Sequence, residues 1–200
     1  MINGADATPL VAIVTPVYNG EAYLAATMEC VQALDYPRLV HVILDNASTD
    51  RSPEIISRYR NGRVPLLTAR NENIIPKIEN FNSALGLVPR EARYFRLLCA
   101  DDTMAPNAIT RKVEVAERDP AIGLVGCLCR TDILRGNTLP KDREVFDGKE
   151  IARGLLLSEN DVLHGTEVLI RLTKLEGRPW FYDATLVGAS DTDASTRNQS

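Results

Sequence analysis

Tyr94-Phe95-Arg96-Leu97-Leu98-Cys99-Ala100-Asp101-Asp102-Thr103-Met104-Ala105-Pro106 is the stretch whose reading decides the fold. An apolar run of strand length leads to two adjacent carboxylates, and the proline after them opens a helical pattern. This order predicts a strand whose C-terminal end carries Asp101 and Asp102, at the edge where open α/β sheets bind their ligands. Adjacent carboxylates repel each other. A hard divalent cation such as Mg²⁺ or Mn²⁺, shared with a phosphate-bearing ligand, would compensate them. A solvated turn that caps the next helix is the commoner origin of an isolated Asp-Asp pair. The rest of the chain therefore has to decide between the two.

Working outward, Leu10-Val11-Ala12-Ile13-Val14-Thr15 is a nearly all-apolar run, as expected of a parallel strand covered on both faces. Pro16 to Gly20 carries turn chemistry, and Leu24, Met28 and Val31 follow at helical spacing. Leu39 to Leu44 reads as a second strand that stops at Asp45-Asn46-Ala47-Ser48-Thr49-Asp50. Ser52 and Pro53 are the expected cap and first residue of the next helix. Val64 to Ala69 reads as a third strand, Ile78 to Leu87 as a helix, and Ile109, Val113 and Ala116 as the inner face of another that stops at Asp119-Pro120. Ile122 to Cys129 is expected to be a fifth buried strand. Beyond it the pattern weakens: a turn at Arg135-Gly136-Asn137, a helix over Gly148 to Leu157, and an ambiguous element over Val162 to Leu172. Strands alternating with helices every ~30 residues imply right-handed crossovers and an open, mostly parallel, Rossmann-like sheet with helices on both faces.

Composition narrows the class. The chain has 200 residues, 44% hydrophobic and 25% charged, with a formal net charge of −4, which suits one soluble α/β domain. No basic cluster argues for nucleic acid as a partner. No run approaches the ~18 apolar residues of a membrane span, and no secretory leader is evident at the start. Cys30, Cys99, Cys127 and Cys129 form no C-x-x-C pair, so free buried thiols and a cytoplasmic location are expected. His41 lies inside a strand and is expected to be packed.

The polar clusters at Thr15–Asn19, Asp45–Asp50, Asn71–Asn73 and Asp101–Asp102 all follow expected strands. In a parallel sheet those ends share one edge, so four segments converge on one crevice. Pro16 and Tyr18 offer an apolar platform, Asp45 an acceptor for an N–H group, and Asp102 a ligand for a cation on a phosphate. A nucleoside diphosphate satisfies all three. Neither G-x-G-x-x-G nor G-x-x-x-x-G-K-[ST] is present, so neutralisation of the phosphates falls to the cation.

Val11 to Leu24 resembles the opening of family 2 glycosyltransferases. Asp45-Asn46-Ala47-Ser48-Thr49-Asp50-Arg51-Ser52 resembles that family's second motif, Asn80 to Leu85 its helix before the acidic strand, and Ala100 to Pro106 its short acidic motif. The resemblance spans roughly residues 8 to 125 in the family's order. It implies a GT-A fold, a nucleotide-sugar donor and sugar transfer with inversion to a saccharide or lipid-linked hydroxyl. A divalent cation, Mn²⁺ or Mg²⁺, is implied as cofactor, and peripheral contact with a membrane surface stays open. By that resemblance Pro16, Tyr18 and Asp45 hold the base, which is probed most naturally as uracil. Asp101 lies near the ribose or sugar, Lys77 contacts the nucleotide, and Asp102 ligates the cation. One domain over 1–200 is expected, with a nucleotide-binding part at about 8–125 and an acceptor-side part at about 126–200 that looks short at its end.

Transfer also needs a base for the acceptor hydroxyl. In the family a carboxylate near the end of the domain serves. Asp191 aligns with it, with Asp193 second, although Ser190 stands where a Glu is usual. A loose helix start is the competing origin of that segment. Two other functions remain open: a truncated or degenerate domain that binds a nucleotide sugar without turnover, and a sugar nucleotidyltransferase. The latter lacks its glycine-rich basic loop at Asn19-Gly20-Glu21.

Overall fold

The computed structural model describes residues 8–127, 142–156, 167–175 and 182. In chain order the elements are β1 (Leu10–Val17), α1 (Leu24–Gln32), β2 (Leu39–Asp45), α2 (Ser52–Arg58), β3 (Leu66–Arg70), α3 (Lys77–Gly86), β4 (Ala92–Leu97), α4 (Ala108–Ala116), β5 (Leu124–Val125), α5 (Gly148–Leu156) and β6 (Leu169–Arg171), followed by a 3-10 turn at Leu172–Leu175. They form one sheet of order β3-β2-β1-β4-β6-β5. β3, β2, β1 and β4 run parallel, and β6 is antiparallel to both β4 and β5.

Alternation along β1 divides the core in two. Val11 and Ile13 pack with Val31, Ile109, Val113 and Ala116 on one face, and Ala12 and Val14 pack with Ala84 and Phe95 on the other. Helices therefore cover both faces: α1, α2 and α4 on the first, α3 on the second. Ile13, Val14, Val42 and Ile43 are wholly buried, each contributing roughly 1.5–3 kcal/mol by removal from water. Both faces are dry, so these strands read as continuous apolar runs rather than alternating ones.

Four details differ from the sequence expectation. Pro16 and Val17 continue β1 rather than opening the turn. Val14 O accepts from Leu98 and Val17 O from Asn46, so successive residues bond to opposite neighbours and Pro16 N faces the β4 side. The β4 pairing has already ended there, at Val14–Leu97, and the missing N–H costs no ladder bond. Ser52 does not cap α2; its Oγ accepts from Gly20 N at 2.8 Å instead. The fifth strand is a two-residue, half-buried edge piece, with Cys127 exposed beside it and residues 128 and 129 outside the described set. The acidic pair lies beyond the end of β4, in a loop, and the helix after it begins at Ala108 rather than Pro106.

His41 is fully buried as expected and bonds Thr15 Oγ1 through Nε2 at 2.9 Å. Burial pushes its pKa down to about 3, so it is neutral. Cys30 and Cys99 are half-buried. Among the described residues no helix is long and apolar enough to cross a membrane.

Candidate functional site

Register places the strand ends side by side. Val17 stands opposite Asp45, Asp45 opposite Arg70, and Val14 opposite Leu97. Since all four strands are parallel, the loops after β1, β2, β3 and β4 leave from one edge, as the spacing predicts.

Those loops are tied together by side chains. Asn19 N donates to Ser48 Oγ at 2.9 Å, and Thr49 N donates back to Asn19 Oδ1 at 2.9 Å. Gly20 N bonds Ser52 Oγ, and Glu21 N donates to Asp50 Oδ2 at 2.9 Å. Arg51 closes the seam with a forked contact to Glu21 at 2.8 and 2.5 Å, which holds the Glu21 carboxyl below its ordinary pKa. Asn19 (φ 48°) and Ala47 (φ 57°) occupy the left-handed region. Asn tolerates it, whereas Ala is strained there. On the other side, a methyl at Gly20 would stand 3.5 Å from Ala100 Cβ, so the first loop also lies against the acidic one.

The expected site residues fall out as follows. Pro16 is buried in β1 and Tyr18 projects from the first loop, 50% exposed. Asp45 is buried, with Oδ1 accepting from Ser48 N at 3.0 Å and Oδ2 paired with Arg70. Arg70 also donates to Ser48 O at 2.8 Å. A carboxylate can accept about four hydrogen bonds, so Asp45 retains capacity for a ligand N–H. Lys77 is the exposed first residue of α3, its Nζ 5.4 Å from the centre of the Phe81 ring. Asp101 and Asp102 are exposed beside half-buried Cys99. Asp191 and Asp193 lie outside the described residues.

Two features were not evident from the sequence. Arg70 balances the charge of Asp45; the signal was a lone cation ending an otherwise uncharged strand. Asn46 organises the third loop: its Oδ1 accepts from Asn71 Nδ2 at 2.8 Å and Ile75 N at 3.0 Å, and its Nδ2 donates to Ile75 O at 2.8 Å. Asn71 Nδ2 also donates to Asn80 Oδ1 at 3.0 Å, so Asn80, inside α3, ties that helix to the third loop.

The acidic loop fits a cation. Cys99, Asp101 and Asp102 each present one ligand atom, and these atoms lie within 4.8 Å of one another. Two carboxylate oxygens beside one sulfur suit a divalent ion that accepts oxygen and tolerates a softer donor. Partial burial of the Asp102 carboxyl, and then the Asp101 charge, push its pKa above the ordinary range, while Arg96 pulls the other way. Arg96 and Lys112 are both nearly buried; Lys112 donates to Glu167 O, and burial pushes its pKa down.

A mostly parallel α/β sheet with helices on both faces and an acidic loop at the C-terminal edge of its strands defines a GT-A type of architecture. The glycosyl transferase family 2 profile matches residues 12–176, and the chain belongs to that family. It is 27% identical over 131 residues to the glycosyltransferase GlyG of Streptococcus pneumoniae, covering 64% of this chain and 42% of that protein. It is 26% identical over 123 residues to the putative teichuronic acid biosynthesis glycosyltransferase TuaG of Bacillus subtilis, covering 59% of this chain and 46% of TuaG. The chain thus spans less than half the length of these relatives. Among solved structures, S. aureus TarS 1-349 in complex with UDP-GlcNAc superposes with a TM-score of 0.75 at 17% identity, over 95% of this chain and 53% of that one. The Pyrobaculum calidifontis mannosyltransferase PcManGT, in complex with GDP-Man and Mn²⁺, gives 0.72 at 23% identity, over 96% of this chain and 52% of its own. At those identities the superpositions establish the fold.

Proposed function

We propose that the chain forms a glycosyltransferase domain that moves a sugar from a UDP-sugar to a saccharide or lipid-linked hydroxyl. The observation that carries this is the convergence of four loops on one sheet edge, three of them tied to one another by side chains, with a three-donor acidic cluster on the fourth. The fold neighbours with UDP-GlcNAc and with GDP-Man and Mn²⁺ support a nucleotide-sugar donor. Tyr18 and Pro16 would flank the base, Asp45 would accept its N–H, Lys77 would meet the nucleotide, and Asp101 would face the ribose or sugar. Asp102 would hold a divalent cation together with Asp101, with Cys99 alongside. When bound, that ion supplies charge neutralisation for the diphosphate. The acceptor oxygen attacks the anomeric carbon as Asp191 takes its proton, and the diphosphate leaves from the opposite face, so the configuration inverts. Residues 8–125 serve the nucleotide and 126–200 the acceptor.

Calorimetric titration with UDP, GDP and their sugars, with and without Mn²⁺, tests the assignment. UDP is expected to bind more tightly with Mn²⁺, and Asp102→Asn to remove that gain while leaving binding in EDTA unchanged. Equal weakening in EDTA would show that Asp102 is not a ligand. Donor binding without transfer to any hydroxyl acceptor would favour a binding domain without turnover.

A further inference from the structure

The loop bearing the two carboxylates has no regular structure from 102 to 105, yet it is fastened at every second residue. Thr27, fully buried on α1, donates its hydroxyl to Ala100 O at 2.9 Å and to Asp102 O at 3.0 Å. One helical turn on, Cys30 donates to Met104 O at 3.2 Å and accepts from Met104 N at 3.0 Å. Beyond the helix, Asp35 N donates to Pro106 O at 2.9 Å. Residues 100, 102, 104 and 106 are thus held along one side of α1, and Asp101 and Asp102 are exposed on the loop between these anchors.

A threonine hydroxyl has a single proton, so the two carbonyls flanking Asp101 share one donor. That sharing brings both carbonyls against one oxygen and fixes the bend at the residue between them. The Cys30–Met104 exchange works as a one-residue bridge and stops the loop from sliding along the helix. Neither side chain belongs to the cation's donor set.

We propose that Thr27 and Cys30 are positioning residues for the carboxylate pair: α1 sets where Asp101 and Asp102 stand, and so how tightly they hold a cation. The proposal rests on Asp101 and Asp102 being the cation-holding pair. Groups that only orient metal ligands commonly change metal affinity by ~10–100-fold when removed.

The test uses the full chain with Thr27→Val, Thr27→Ser and Cys30→Ala. Mn²⁺ is titrated in the presence of UDP, and amide exchange at Asp102 and Met104 is followed without metal. Thr27→Val is expected to lose ~10-fold in Mn²⁺ affinity, with UDP binding in EDTA unchanged, and Thr27→Ser to recover it. Cys30→Ala adds no branched methyl group; it should speed exchange at Met104 and weaken Mn²⁺ in the same way, and it decides the question if Thr27→Val does not fold. Folded variants that bind Mn²⁺ like the parent overturn the proposal. If the parent itself gains nothing from Mn²⁺, the cation role of Asp102 fails, and the proposal with it. Faster exchange in the variants would then show a loop clamp without that purpose.

Discussion

β1 pairs with β2 from Val11–Leu39 to Val17–Asp45, whereas β5 meets β6 only at Leu124–Ile170 and Val125–Leu169. The central strands are held by a long ladder and by apolar side chains buried on both faces. The antiparallel end has little ladder; β6 buries Leu169 and Ile170 in the two halves of the core, and polar side chains that reach for backbone carbonyls add to that hold. Arg171 is the main one: it donates to Ile122 O at 2.9 Å and Ala116 O at 2.5 Å, stacks 4.9 Å from the Tyr94 ring centre and pairs with Glu117. Lys112 reaches Glu167 O in the same way. Asn82 on α3 donates to Tyr182 O at 2.7 Å and accepts from Tyr182 N at 2.8 Å. A long ladder marks the parallel strands; burial of β6 and single side chains mark the antiparallel end. The two should therefore fail separately.

The largest expected effect belongs to the proposed base. If Asp191 is the base, Asp191→Asn keeps the shape but removes the proton acceptor, at ~10²–10⁴-fold in turnover. Donor and Mn²⁺ affinity should hold, because a base acts on the acceptor in the transition state. Wild-type turnover in steady-state assays would discard the assignment, and Asp193→Asn should do much less damage.

Next comes Arg171→Met, which strands the carbonyls of Ala116 and Ile122 and leaves Glu117 without this partner. A loss of ~2–4 kcal/mol in denaturant unfolding is expected. Arg171→Lys should recover only part of it, because an ammonium cannot span the same fork. A loss below about 0.5 kcal/mol, the usual limit for an exposed site, would show that the antiparallel end does not depend on this guanidinium.

The ladder side should respond to acid through His41. Its folded pKa lies near 3 against an ordinary 6.5, so in that window the unfolded chain binds a proton that the folded chain does not. Stability should therefore rise with pH from about 3 to 6.5, with His41 contributing a slope of at most ~1.4 kcal/mol per pH unit. Unfolding curves of His41→Gln at several pH values should be flatter, and an unchanged slope would assign the acid sensitivity elsewhere. Smallest is Asn82→Ala, expected to cost ~1 kcal/mol and to raise exchange at the Tyr182 amide while leaving the amides of β1 protected.

The same division explains what could be read in advance. Strand and helix order from Leu10 to Ala116, the parallel sheet, the buried His41 and the shared edge of Asp45 and Asp102 follow from apolar runs, helical spacing and turn residues. These are properties of short windows of chain. The antiparallel end was legible only in outline: of the strand expected over Ile122 to Cys129 only Leu124–Val125 forms one among the described residues, the ambiguous element over Val162 to Leu172 contains β6, and Arg171 shows its purpose only when Ala116 and Ile122 are brought to it. Ser52 looked like a cap because its neighbours Pro53 and Glu54 suit a helix start. Only the approach of Gly20 gives its hydroxyl another use. Likewise the sequence marked Asp101 and Asp102 as chemistry, but not Thr27 and Cys30 as what holds them, since those bonds join residues more than seventy positions apart. Local pattern determines which segments become strands and helices, because backbone pairing and amphipathic burial depend on neighbours in sequence. Which polar group meets which depends on register and crossover, and those exist only once the sheet is assembled.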